Sequence, residues 1–301
     1  MRFAEIEQRI RGGARRTIVL AGADDPAALA ALGMAMNERI ARGICVGPAA
    51  ETAKVAAQLD FDLSRVHFIP AETASEMAQV AFKLAVAGDA DAVMKGHLVT
   101  SDLLHIAVQP ELGFRRGPII SHIAAFELPT YSKLLFITDT GVVINPDLEQ
   151  KAGILANVLD FVRGLGLPLP AAALLSASEI PTSKLRCSTD AAALTVMASA
   201  GRFGQCSVFG PLDLASAINA EAARCKRIGW PHAGGADILL VPEMSGGNIL
   251  GKALIHLANA RAGGVAVGGK TPVILMSRAA SADDKWNSII LGLAVGQGQG
   301  N

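Results

Sequence analysis

The chain has 301 residues, of which 51% are hydrophobic and 18% charged, and its formal net charge is zero. This length exceeds what one hydrophobic core usually organises, so we expect two domains. The sequence lacks the clustered positive charge on which nucleic-acid-binding surfaces and polybasic membrane anchors depend. We therefore expect no nucleic-acid partner and no membrane partner.

The amino-terminal stretch and the cysteines bear on location. The opening MRFAEIEQRIRGGARR mixes acids and bases, unlike a signal or transit peptide. No apolar run approaches the roughly 20 residues that span a bilayer. The cysteines are far apart and form no CxxC pair, which disfavours a zinc knuckle and suits a reducing compartment. We expect a cytoplasmic protein.

Short apolar runs, typical of buried strands, alternate with longer Ala- and Leu-rich stretches of helical length. The first run, Thr17–Gly22, precedes a predicted helix that Asp25 can cap, Pro26 can begin and Gly43 can end. The later runs are ICVG, HFIP, AVMKG, LLFITDT, AAALLSA, CSVFGP, DILLVPE, GVAVGG and PVILMSR. Strands separated by helix-length segments predict crossover connections and a mostly parallel sheet covered on both faces.

Ligands of such sheets bind beyond the carboxyl ends of the strands, where polar residues are informative. Lys95 ends one run, Gly96 makes a turn, and Thr100 can cap the helix that follows. A lysine at this position can contact an anion or can simply reach solvent, and the residues leave both interpretations open. Asp139 follows another run in the same way.

A glycine-rich stretch, SGGNILGKA, follows the run DILLVPE. Gly246 to Lys252 has the GxxxxGK spacing of a nucleotide-binding loop, but Ala253 stands where a Ser or Thr would hold Mg²⁺. An ATP-binding loop is therefore disfavoured. Glycines that open a helix leave backbone N–H groups free to receive a phosphate, although a tight turn without a ligand explains them equally well.

Arg115 and Arg116 lie between glycines in a predicted loop. A guanidinium there can grip phosphate or carboxylate, but adjacent surface arginines are also common. His97, His105 and His122 lack the spacing of metal ligands, so no metal site is expected.

The stretch PVILMSRAASADD places Ser277 and Arg278 at the end of a predicted strand. Ser281 can cap the following helix, whose first turn holds Asp283 and Asp284. Favourable interaction with the helix dipole alone explains both acids, while Asp284 is also close enough in sequence to share a site with Ser277.

Taken in order, MKGHLVTSDLL, GFRRGPIISHIAAFELP, ITDTGVVINPDLEQK, STDAAAL, GGADILLVPEMSGGNILGK and PVILMSRAASADDK resemble the phosphate acetyl/butyryltransferase family. The family moves an acyl group between coenzyme A and inorganic phosphate to give acyl phosphate. The resemblance therefore implies an acetyltransferase, or a butyryltransferase, of acetate metabolism. It implies small-molecule substrates only (acyl-CoA, phosphate and acyl phosphate), no cofactor, and a homodimer.

The family is similar in fold to isocitrate and isopropylmalate dehydrogenases, with two α/β/α domains and an active site in the interdomain cleft. By this resemblance residues 1–120 and 264–301 form domain I, and residues 121–263 form an inserted domain II.

The resemblance also assigns roles to individual residues. Asp284 is implied as the base that takes the proton from the coenzyme A thiol. Arg278 would hold phosphate or polarise the thioester carbonyl, and Ser277 would hydrogen-bond the sulfur or the tetrahedral intermediate. The expected substrate contacts are Lys95, Thr100, His105, Arg115, Asp139, Gly247, Asn248 and Lys252.

The sequence departs from the family pattern at two positions. His105 stands where many members have an arginine, and Phe209 replaces a usual aspartate. These departures leave open a catalytically silent CoA-binding or assembly protein. The shared fold leaves open a metal-dependent decarboxylating dehydrogenase.

Overall fold

A computed structural model describes residues 1–275 and 280–295 of the chain. Two compact units make up the fold. The terminal unit contains Arg2–Ile120 and the chain from Ala262 onward, and the central unit contains Met1 and Ser121–Arg261.

Strands and helices alternate through both units. The strands are β1 (Arg16–Ala21), β2 (Ala41–Gly47), β3 (His67–Pro70), β4 (Ala92–Lys95), β5 (Ser121–Glu127), β6 (Leu135–Thr138), β7 (Ala171–Leu175), β8 (Ser207–Leu212), β9 (Ile238–Leu240), β10 (Arg261–Val267) and β11 (Val273–Ile274). The helices are α1 (Phe3–Arg11), α2 (Pro26–Asn37), α3 (Ala49–Gln58), α4 (Ala74–Ala87), α5 (Thr100–Ala107), α6 (Leu148–Gly164), α7 (Arg186–Ser199), α8 (Leu214–Ile218), α9 (Ala220–Cys225), α10 (Met244–Ala258) and α11 (Ala282–Ala294).

In the terminal unit the strand order is β3-β2-β1-β4-β11-β10. The pairs are parallel except β10 with β11. In the register, Ala21 at the end of β1 pairs with Lys95 at the end of β4. The apolar residues of β1 from Ile18 onward are fully buried, as expected for a strand covered on both faces.

In the central unit the strand order is β5-β6-β9-β7-β8. The pairs are parallel except β5 with β6. The predicted mostly parallel α/β fold is therefore confirmed. No strand was predicted at β5, because its alanine-rich centre has little intrinsic preference for strand over helix.

Two predicted helix caps are confirmed. Asp25 accepts the backbone N–H groups of Ala27 and Ala28 at the start of α2, with Pro26 in the first helical position. Ser281 accepts the N–H of Asp284 at the start of α11.

The prediction that Gly43 ends α2 is wrong. The helix ends at Asn37, and Arg39 takes the left-handed conformation (φ 60°) that reverses the chain. Gly43 lies inside β2, where an added Cβ would come within 2.9 Å of Val66 and 3.0 Å of Met36. This glycine therefore permits close packing beside a strand and plays no part in capping.

The prediction that Thr100 caps α5 is also wrong. Val99 is the N-cap, with extended backbone angles (φ −74°, ψ 136°), and Thr100 is already the first helical residue. Valine has no side-chain acceptor, so this helix begins without a side-chain cap. No helix in residues 1–275 or 280–295 combines the length and apolar character that crossing a membrane requires.

Candidate functional site

The expected site residues fall into both units. The terminal unit carries Lys95, Thr100, His105, Arg115 and Asp284, and the central unit carries Asp139, Gly247, Asn248 and Lys252. Ser277 and Arg278 lie outside the described residues.

Lys95 is buried at the carboxyl end of β4, with 7% of its surface exposed. Its ammonium group donates hydrogen bonds to the carbonyl oxygens of Gly96 (3.2 Å) and Leu98 (3.1 Å). The alternative that this lysine simply reaches solvent is therefore wrong. Its charge is held inside the turn that leads into α5.

That turn packs tightly on the turn after β1. A Cβ on Gly96 would lie 2.0 Å from the carbonyl oxygen of Gly22, so only glycine fits there. Across the same contact, the exposed His97 shares a hydrogen bond between its Nδ1 and Asp24 Oδ2 (2.7 Å). The ends of β1 and β4 are thus fixed side by side.

Thr100 is half-buried at the first position of α5, and His105 is exposed in its last turn. A helix amino terminus carries partial positive charge and outward-pointing N–H groups. Because Val99 offers no side-chain acceptor, no side chain caps the first N–H groups of α5, and the nearest carboxylate on the helix is that of the exposed Asp102 in the first turn.

Arg115 and Arg116 are both exposed in a loop that is anchored from beneath. Arg115 forms an antiparallel bridge with Gly269, and the backbone N–H of Arg116 donates to Gly268 O (2.9 Å). The Phe114 ring is buried between these two segments, and a Cβ on Gly269 would lie 2.2 Å from it. The loop therefore has a defined backbone.

Asp139 is buried at the carboxyl end of β6. Its Oδ1 accepts the N–H groups of Gly141 (2.7 Å) and Val142 (2.8 Å), and its Oδ2 accepts the N–H of His122 (2.8 Å). These three bonds show that the carboxylate shapes the loop after β6 and ties it to β5.

His122 is a site-proximal residue whose place the sequence analysis missed. Its Nδ1 lies 2.6 Å from the Thr140 hydroxyl. Burial lowers the pKa of His122, against the opposing effect of the Asp139 carboxylate. The ring is thus held neutral at ordinary pH. The sequence signal for this contact was that His122 and Thr140 lie at strand ends. Using that signal requires β5 to be predicted as a strand.

The expectation of free N–H groups at the start of α10 is wrong. Glu243 is the N-cap, and its carboxylate accepts the N–H groups of Ser245 and Gly246, each at 2.7 Å. The N–H of Gly247 donates to Glu243 O at 3.3 Å, and that of Met244 to Ile144 O at 3.1 Å. A carboxylate therefore occupies the place expected for phosphate, because a nearby glutamate satisfies the donors first.

Hydrogen bonds from backbone N–H groups stabilise the charged form of the Glu243 carboxylate. Burial by itself would raise the pKa of Glu243, but the hydrogen bonds from Gly246 and Ser245 outweigh it and lower the pKa. The group is therefore a fixed negative charge at the amino terminus of α10.

Gly247 allows α10 to approach the loop after β6. A Cβ there would lie 2.6 Å from Asp139 O and 2.9 Å from a Val241 methyl group. One residue on, the exposed Asn248 donates to Thr140 O at 3.3 Å. Lys252 is exposed one helical turn further along, on the same face of α10.

Asp284 Oδ1 accepts the backbone N–H of Ala262 at 2.7 Å. From the same face of α11, Asn287 Nδ2 donates to Ala262 O (3.2 Å) and Ser288 Oγ accepts the N–H of Gly264 (3.0 Å). Gly263 between them has no room for a Cβ, which would lie 2.9 Å from Asn287. Asp284 is therefore held in position by the start of β10.

Within the central unit the structure brings together Asp139, Gly247 and Asn248. Within the terminal unit Lys95 and Thr100 belong to one turn, while Arg115 and Asp284 lie on other elements. Residues 1–275 and 280–295 contain no group of three His, Cys, Asp or Glu side chains placed to hold a metal ion.

Comparison with known proteins identifies the family. A sequence model described as phosphate acetyl/butaryl transferase matches residues 71–293. The phosphate butyryltransferase of Clostridium beijerinckii is 33% identical over 97% of each chain. The phosphate acetyltransferase of Thermotoga maritima is 34% identical over 96% of this chain and 98% of its own.

A solved structure is similar over the same extent. The crystal structure of a branched-chain phosphotransacylase from Enterococcus faecalis V583 has a TM-score of 0.82 and 31% identity, and the match covers 94% of this chain and 99% of that one. The match of the family model to most of the chain, together with these full-length similarities, shows that the chain belongs to the phosphate acetyl/butyryl transferase family.

Proposed function

We propose that the chain is a phosphate acyltransferase that moves a short acyl group between coenzyme A and inorganic phosphate. The observation that carries this proposal is the length of the similarity: relatives named for acetyl and for butyryl transfer match over at least 96% of this chain. Their names differ in the acyl group. We therefore propose a short-chain acyl-CoA, acetyl or butyryl, as substrate.

In the proposed reaction a phosphate oxygen attacks the thioester carbonyl carbon. The carbon–sulfur bond breaks, the acyl group stays on phosphate as a mixed anhydride, and the sulfur leaves with coenzyme A and takes up a proton. In the reverse direction the thiol must lose that proton, and an ordinary thiol with a pKa of about 8.5 is mostly protonated at neutral pH. A base beside the sulfur therefore speeds the reverse direction and, once protonated, the forward direction.

We assign the base role to Asp284. The hydrogen bond from Ala262 N–H fixes the orientation of its carboxylate. Asparagine at this position keeps an acceptor for that N–H but cannot accept a proton. Ser277 and Arg278 keep the roles that the family resemblance implies, binding the sulfur and the developing oxyanion.

Phosphate binding is proposed for the start of α5. Here the buried Lys95 adds positive charge, the Thr100 hydroxyl supplies a donor, and the helix begins without a carboxylate cap. The start of α10 is unfavourable, because the Glu243 carboxylate already fills it. Arg115 and Lys252 are exposed cations that suit the phosphate groups of coenzyme A.

A catalytically silent CoA-binding protein remains the second candidate, because Phe209 replaces the family's usual aspartate. Its ring stacks on Trp230, with centroids 6.0 Å apart and planes 11° from parallel, so the position serves packing. Calorimetry that detects CoA binding by a protein without turnover would favour this candidate.

The test of the leading proposal is release of CoA from acetyl-, propionyl- and butyryl-CoA with and without phosphate. We expect release that depends on phosphate. Asp284→Asn should lower the turnover about 10²–10⁴-fold, the usual contribution of a general base. Asp283→Asn, in the same first turn of α11 but exposed, is the matched control and should retain activity. Equal rates in the two variants would remove Asp284 from the mechanism.

We further propose a homodimer that acts in the cytoplasm without a cofactor, with each compact unit forming one domain. Light scattering after gel filtration tests the dimer. Activity that survives dialysis against a chelator tests independence from metal. An activity that depends on both a divalent metal and nicotinamide would revive the dehydrogenase alternative.

A further inference from the structure

A small pocket opens in the terminal unit between α1, the start of β1 and the end of α11. Its volume is ≈ 60 Å³, about the space of one small ion with little hydration. The exposed wall is more polar than apolar. The guanidinium-bearing Arg9 and Arg16 line it together with the apolar Ile6, Ile10 and Leu293.

Arg16 is the unusual member of this wall. Only 7% of its surface is exposed. Its Nη1 atom is buried and finds no hydrogen-bond partner in residues 1–275 or 280–295. A guanidinium cannot shed its charge to escape this situation, because its pKa stays far above physiological pH. Buried charges are normally paired, so a missing partner calls for an explanation.

The nearest candidate partner is already engaged. Burial lowers the pKa of Arg16, and the Asp91 carboxylate opposes that effect from nearby. Asp91 Oδ2 instead accepts the backbone N–H of Thr17 at 2.7 Å, and within the described part of the chain the two side chains form no ion pair. The carboxyl end of α1 adds only a partial negative charge, about half an elementary charge, beside the full positive charge of Arg16.

We propose that this pocket binds a small inorganic oxyanion, held by Arg16 from within and by Arg9 at the mouth. Arg9 is exposed on the last turn of α1, where a second guanidinium can close over the ion. A bound tetrahedral oxyanion compensates the charge of the buried Arg16 guanidinium and links α1 to β1 and α11. Phosphate and sulfate share this chemistry.

The pocket is separate from the proposed substrate site. Arg16 begins β1, while Ala21 at its other end pairs with Lys95. Arg16 and Ala21 are five positions apart in an extended strand, which places them about 17 Å from each other. The inference therefore does not rest on the proposed function, and an inactive protein would still be expected to bind the ion here.

Sulfate is the probe, and hydrogen–deuterium exchange of the full chain is the readout, because exchange reports where protection occurs. We expect sulfate to slow amide exchange in α1, in residues 12–16 and at the end of α11. The variant Arg16→Met should lose this protection, with an apparent Kd at least about 10-fold higher, as for loss of a charge-assisted hydrogen bond. The control is Arg15→Met, at the exposed neighbouring residue. Sulfate stabilises any protein because it is excluded from the protein surface, and this control experiences that general effect as well.

Removal of an unpaired buried charge has a second consequence. In buffer free of oxyanions Arg16→Met should melt at the same temperature as the wild type or higher, and the order should reverse at high sulfate. Equal protection of α1 in the two variants would overturn the proposal, and so would absence of protection there in the wild type. Should Arg16→Met fail to fold, Arg9→Met takes its place and should also weaken the protection.

Discussion

A close backbone approach in the central unit, at Gly247, predicts a specific cost for one methyl group. In Gly247→Ala the new Cβ would lie 2.6 Å from Asp139 O, 2.9 Å from a Val241 methyl carbon and 3.1 Å from a Thr140 methyl carbon. The first of these atoms belongs to the backbone of a loop that the Asp139 carboxylate holds with three hydrogen bonds. The loop cannot move aside without breaking them.

The matched control is Gly246→Ala, one residue earlier in α10, where the added Cβ meets no backbone atom and only one side-chain atom, Glu243 Oε1 at 3.1 Å. Alanine replaces glycine in a helix in both variants and contributes about the same 1 kcal/mol of helix propensity. Overpacking against a fixed neighbour costs about 1–3 kcal/mol, so Gly247→Ala should be less stable than the control by that amount. Each 1 kcal/mol lowers the melting temperature by about 2–4 °C.

Thermal unfolding followed by circular dichroism measures this difference. A Gly247→Ala protein that melts at or above the temperature of Gly246→Ala would refute the proposed contact between α10 and the loop after β6.

Three further predictions concern the same elements. Backbone donors outweigh burial and lower the pKa of Glu243. Its contribution to the free energy of unfolding is therefore present above the ordinary pKa of 4.5 and is lost as pH falls through the lowered value. In urea unfolding, Glu243→Gln should weaken the loss of stability at acid pH. Burial lowers the pKa of His122. As pH drops below 6.5 the unfolded chain therefore takes up a proton before the folded chain does, and the free energy of unfolding falls. His122→Asn should remove this loss. Thr100→Val should raise the KM for phosphate several-fold with little change in KM for acyl-CoA, whereas the exposed Ser101→Ala should not, and equal KM values would remove Thr100 from the site.

The sequence predicted the features that depend on local chemistry. Alternating apolar runs indicated the parallel strands, and Asp25 and Ser281 indicated two helix starts because their short side chains reach the backbone within one turn. Lys95 was placed correctly at the end of β4, but its burial and its bonds to two carbonyl groups depend on the packing of the β1 turn against it.

Features that depend on tertiary contacts could not be predicted. Glu243 is a poor N-cap by residue type, so the glycines after it suggested an open phosphate site where a carboxylate lies. Gly43 looked like a helix terminator because its packing partner, Val66, is 23 positions away in the sequence. One of the three hydrogen bonds of Asp139, the one from the N–H of His122, requires β5 beside β6, and that strand was missed.

Acyl transfer to phosphate is the central claim, and phosphorus NMR tests it most directly. Acyl-CoA, inorganic phosphate and the purified protein should give an acyl phosphate resonance that grows in step with free thiol, one for one. Release of thiol without acyl phosphate, at a rate independent of phosphate, would instead identify a thioester hydrolase and contradict the account.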